Sequence, residues 1–75
     1  MIKNLDRIVL KTDLPGEGLA KGDLGTVVLI HQGGKGYEVE FLTLTGETVA
    51  VVTLKAAQIR RIPRREIANA RAVML

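Results

Sequence analysis

The chain has 75 residues, of which 47% are hydrophobic and 25% charged, with a formal net charge of +3 and no cysteine. That length allows one small domain and no second. The apolar share excludes a disordered segment, and the missing cysteine excludes a disulfide staple and argues against a zinc cluster.

One Phe, one Tyr and no Trp make the expected core aliphatic. A core this small depends on good barrel closure or on oligomerisation. No run of about 18 apolar residues is present, so no transmembrane helix is expected. Met1 to Asp6 carries no apolar signal-peptide core, which leaves a cytoplasmic protein as the expectation.

Taken in chain order, Arg7-Ile8-Val9-Leu10-Lys11 is a β-branched run and reads as the first strand. Asp13 to Gly22 is a long loop marked by Pro15, Gly16, Gly18 and Gly22. Gly22-Asp23-Leu24-Gly25 has the composition of a tight turn. Thr26 to His31 follows as a strand, with Val27 and Leu29 on one face and Val28 and Ile30 on the other. Both faces are apolar, which predicts a central or doubly covered strand.

Gln32 to Gly36 reads as a glycine-rich hairpin loop. Tyr37-Glu38-Val39-Glu40-Phe41 then alternates perfectly, with Tyr37, Val39 and Phe41 inward. Thr45-Gly46 marks a second hairpin turn. The strand from Glu47 to Leu54 puts Val49 and Val51 on one face and Ala50, Val52 and Leu54 on the other. Lys55 to Gln58 predicts one helical turn, and Ile59 to Ile62 a last strand ended by Pro63. Beyond it, Ile67, Ala70, Arg71 and Met74 fall at i, i+3, i+4 and i+7, which predicts a weakly amphipathic helix over residues 63–75. The pattern is a mainly all-β fold: a five-stranded SH3-like barrel over residues 1–62 with a short C-terminal helix.

Charge is unevenly placed. Five basic and seven acidic residues precede Lys55, whereas residues 55–75 hold six basic and one acidic. Arg60-Arg61 and Arg64-Arg65 form the densest cluster and would attract phosphate. Exposed aromatics for base stacking are lacking, since Tyr37 and Phe41 read as buried. The Gly33-Gly34-Lys35-Gly36 run lacks phosphate-loop spacing and joins two strands, so it reads as a turn. His31 is the only histidine, serine is absent, and no nucleophile–base pair is visible. Glu38 and Glu40 read as a solvated face able to pair across strands. The spacing of Asp13, Glu17 and Asp23 fits no calcium loop. No catalytic residue, cofactor or metal is expected.

Leu5 to Leu10, Asp13-Leu14-Pro15, Gly22 to Val28, Tyr37 to Phe41 and Gly46 to Leu54 together resemble a small bacterial domain-of-unknown-function family, over roughly residues 4 to 62. The Gly-Asp-x-Gly-Thr-Val turn alone also resembles the KOW motif of ribosomal and transcription-elongation proteins. The family resemblance implies a stand-alone cytoplasmic protein with no assigned catalytic residues. It also implies a protein partner, in a toxin–antitoxin-like pair.

The expected function is a non-catalytic protein-interaction module that binds itself or another protein and no membrane. Strands apolar on both faces motivate this, because surplus apolar area marks interfaces. Val28, Ile30, Ala50 and Val52 are the expected sheet contacts, and Ile67, Ala70 and Met74 the tail contacts. The alternative is a KOW-like RNA- or DNA-binding module with Lys55, Arg60, Arg61, Arg64 and Arg65 on phosphates.

Overall fold

The computed structural model describes residues 1–74. Five strands form one antiparallel sheet: β1 (Arg7–Leu10), β2 (Leu24–His31), β3 (Gly36–Leu42), β4 (Thr48–Leu54) and β5 (Ile59–Arg61). Their spatial order is β4-β3-β2-β1-β5. Single 3-10 turns lie at Pro15–Glu17 and Ala56–Gln58. The second is the expected helical turn before β5. It is closed by Gln58, whose side chain accepts the Lys55 N–H at 2.8 Å.

The all-β class and the five strands stand as expected; closure does not. Among the described residues β4 pairs only with β3, and β5 only with β1, so the sheet is not closed into a barrel. The physical reason is in β5. It has three residues before Ile62 and Pro63, too few to pair along the seven residues of β4, and Pro63 offers no N–H to a ladder.

Alternation fills the core as the pattern predicts. Ile8, Leu10, Val27, Tyr37, Val39, Phe41, Leu54 and Ile59 are buried in one cluster. Each such side chain contributes on the order of 1.5–3 kcal/mol when removed from water. The long first loop is less open than its breakers suggest. Leu14 and Leu19 exchange backbone hydrogen bonds at 2.9 and 3.1 Å, forming a miniature hairpin that delivers Leu19 to the core.

The turn before β2 lies two residues earlier than expected. Asp23 N–H donates to the Ala20 carbonyl at 3.0 Å, and the strand begins at Leu24. Gly22 supplies the positive φ, +96°, at which an L side chain is strained. Gly25 has a different task. It is buried in β2 opposite Ile8, and a Cβ there would lie 2.5 Å from Val39 Cγ1 and 2.9 Å from Phe41 Cε1.

The expected C-terminal helix is absent. Residues 64–65 make a turn and residues 66–74 have no regular structure; residue 75 of that expected helix lies outside the described residues. A helix of this length is marginal in water, and Asn69 lies in its middle. Two ion pairs tie the segment to the rest of the chain instead. Glu66 bonds back to Arg60, and Arg71 reaches Asp23 across the sheet. Ile67 and Met74, expected to pack, are exposed. No helix among the described residues is long and apolar enough to cross a membrane.

Candidate functional site

Three features of the surface could do chemistry or recognition: the outer face of β2–β4, the arginine cluster, and a groove walled by the C-terminal tail.

A β-bulge reorganises the outer face. Val27 pairs with Val39, and the next partner pair is Leu29 with Glu38, so Val28 is the extra residue. A bulge sets two residues of one strand against one of its partner. Val28 and Leu29 are therefore both exposed, while Ile30 returns to the core side opposite Tyr37. The expectation that Val27 and Leu29 share a face is corrected accordingly. Ala50 and Val52, opposite Phe41 and Val39, also pack against the core. Of the four sheet residues expected on the less covered face, only Val28 is exposed. Leu29 and Val51 complete that face, and neither was singled out. Val51 is legible by parity with inward Val52; Leu29 is not, because nothing in the sequence marks a bulge.

The same face carries a polar constellation. Glu38 Oε2 accepts from Thr53 Oγ1 at 2.6 Å and lies 2.7 Å from His31 Nε2. The Thr53 hydroxyl first, and His31 second, hold the Glu38 carboxyl below its ordinary range. Glu40 Oε2 accepts from Thr48 Oγ1 at 2.9 Å. The two glutamates do reach across strands, but to threonine hydroxyls and His31 and not to the lysines and arginines expected to pair with them. Among the described residues no three His, Cys, Asp or Glu side chains gather as a metal-binding group. Asp13 instead accepts the Lys21 N–H at 2.8 Å and thereby closes the first loop.

β4 is an open edge. Its sequence, Thr48-Val49-Ala50-Val51-Val52-Thr53-Leu54, has no charge and no proline over seven residues. Edge strands ordinarily carry lysine, proline or a bulge that discourages pairing with another chain; β4 has only the last of these, at Val49, because Phe41 pairs with Ala50 and Leu42 with Thr48, and Ala50 to Leu54 pair regularly beyond it. β5, the other edge, has two arginines followed by proline.

The arginine cluster is divided. Arg60 donates from Nη1 and Nη2 to the two Glu66 oxygens at 2.6 and 2.7 Å. This bidentate pair raises the Arg60 pKa and lowers that of Glu66. Arg61, Arg64 and Arg65 are exposed and form no ion pair among the described residues. Lys55 is exposed at the start of the second 3-10 turn. Tyr37 and Phe41 are buried, so they offer no stacking platform.

The tail makes the third feature. Arg71 Nε donates to Asp23 Oδ1 at 2.7 Å, and Nη2 donates to Oδ2 at 2.5 Å and to the Gly18 carbonyl at 3.1 Å. Asp23 Oδ2 also accepts the Ala20 N–H at 2.9 Å. The Arg71 hydrogen bonds hold the Asp23 carboxyl below its ordinary value, against the opposing effect of partial burial. Between residues 68–73 and the sheet lies a groove of about 490 Å³, walled by Leu24, Phe41, Leu42, Leu44 and Val49 on the sheet side. Ala70, an expected contact, is exposed but lines this groove. Arg71 was noticed only for its helical spacing; its partner is 48 residues away, and no local signal points to it.

The fold and these surfaces define a small all-β module, a single antiparallel sheet with one edge strand that has no charge and no proline. The chain belongs to the family described as a domain of unknown function (DUF4926), whose model matches residues 4–61. No curated protein and no solved structure matches it.

Proposed function

We propose that the protein is a non-catalytic protein-interaction module of the cytoplasm that self-associates through the β4 edge. The observation that carries this reading is the edge from Ala50 to Leu54, which has no charge and no proline and pairs regularly beyond the Val49 bulge. Among the described residues, no backbone hydrogen bond links β4 to any strand but β3, apart from the turn that enters it. Such a row of free N–H and C=O groups is a template for β-strand addition. Val28, Leu29 and Val51, exposed on the adjoining outer face, supply the apolar area that main-chain pairing needs beside it. Antiparallel pairing of two β4 strands would be isologous, so one patch would serve both copies.

Light scattering after size exclusion at micromolar concentration tests it. The expected result is a dimer for the unaltered chain and a monomer for Val51→Lys, which puts a charge on the edge without touching the core side. A monomer in both cases refutes the reading.

A second reading, a KOW-like RNA- or DNA-binding module, draws on the exposed and unpaired Arg61, Arg64 and Arg65 with Lys55. Arg60 is engaged by Glu66 and is a weaker phosphate ligand. Binding to mixed oligonucleotides would fall steeply with salt, by about one decade per decade of salt for each phosphate contacted. Absence of salt-sensitive binding at about 50 mM salt removes this reading.

A further inference from the structure

We infer that the groove beside Asp23 is a docking site for an extended, arginine-bearing segment of a partner protein, and that residues 68–73 are its weak resident occupant. The acceptor is built by the turn before β2 and not by the tail. With the tail seated the Asp23 side chain is 16% exposed, and its carboxylate is oriented by the Ala20 N–H within its own turn. Two parallel bonds to that carboxylate and a third to the Gly18 carbonyl form a fork that a guanidinium satisfies and an ammonium does not.

The resident occupant fits poorly. About 490 Å³ stays open between the tail and the sheet, within the range of ligand sites, roughly 300–1,000 Å³. Apart from the half-buried Val73, the tail offers only the small apolar residues Ala68 and Ala70 where the opposite wall is Leu24, Phe41, Leu42 and Leu44. No backbone hydrogen bond of residues 62–74 ties the tail down among the described residues. It is held by side chains alone, and it lies outside the region the family model matches.

These facts define the partner. The tail is present at an effective concentration of about millimolar, so an identical tail from a second copy gains nothing over it. A displacing segment must be the better ligand: arginine at the Asp23 position, with leucine-sized residues in place of Ala68 and Ala70. The site is distinct from the β4 edge, which contributes only Val49 to the groove, so either proposal can fail alone.

The test is fluorescence anisotropy on the full chain with labelled peptides spanning residues 66–74. One peptide has the native sequence, one carries Ala68→Leu and Ala70→Leu, and a third adds Arg71→Ala to that pair. The chain is used unaltered, as Arg71→Ala to free the groove, and as the double variant Asp23→Asn with Arg71→Ala. Amide NMR spectra establish that each variant is folded. The leucine peptide is expected to bind the Arg71→Ala chain about tenfold or more tighter than the unaltered chain, because the competing tail is released. Loss of the peptide's arginine, or of the Asp23 charge, is expected to weaken binding about tenfold or more. The native-sequence peptide is expected to bind more weakly than the leucine peptide. Binding that ignores both Arg71 of the peptide and Asp23 of the chain is plain apolar capture and overturns the proposal. So does no binding to the Arg71→Ala chain at millimolar peptide, or equal binding of native and leucine peptides. Should Arg71→Ala fail to fold, Arg71→Lys keeps the charge while losing the fork. It is expected to show the same release in smaller measure, and binding no tighter than to the unaltered chain overturns the proposal.

Discussion

Gly25 and Asp23 stand two residues apart and act through opposite means. Gly25 acts by having no side chain, since Val39 and Phe41 occupy the space a methyl group would need. Gly25→Ala is expected to destabilise the fold by about 1–3 kcal/mol, the range for overpacking a filled core; urea unfolding measures it. Asp23 acts by its charge. Its carboxyl is lowered from 3.8 in the folded chain, chiefly by Arg71, so the folded state favours the deprotonated form. The stabilisation is fully present above about pH 3.8 and is lost as pH falls through the lowered folded value. Carboxyl NMR titration of Asp23 is expected to show its midpoint rise toward 3.8 in Arg71→Ala. An unchanged midpoint would mean that Arg71 is not the cause. The turn composition around Asp23 is plain in the sequence. Its ion pair is not, because a contact spanning 48 residues leaves no local periodicity to read.

Among the elements, β3 is the most legible, since each of its inward residues is also a core residue. β2 is less so. Its apolar residues fit either register, and the bulge after Val27 decides which of them face out. A strand apolar on both faces carries little information about register. The tail shows the reverse case, where a helical spacing is present and the helix is not. Four positions at i, i+3, i+4 and i+7 are too little surface to overcome the nucleation barrier, and two arginine–carboxylate pairs tie the segment to the rest of the chain. Amide hydrogen exchange separates the possibilities. Residues 66–74 are expected to exchange near the rate of an unstructured peptide, and Val27 and Val39 to be protected. Protection along residues 66–74 would indicate a helix or a ladder instead.

For the whole molecule, the proposed pairing through β4 would couple stability to association. A 75-residue domain with ten buried hydrophobic side chains has a small core. A partner on β4 would add stability by mass action. The thermal midpoint of the unaltered chain is therefore expected to rise with protein concentration, and that of Val51→Lys to stay constant. A midpoint independent of concentration in both would leave the core alone to account for stability.

The sequence by itself determined the strands, the hairpin turns and the inward residues of β3. Those follow from period-two alternation and from glycine and aspartate turn chemistry, which act within a few residues. Only the tertiary structure decided that the sheet stays open between β4 and β5, that a bulge turns Leu29 outward, and that Arg71 latches the tail to Asp23. Each of those depends on which distant segments come together, and distance along the chain is the information that local patterning does not carry.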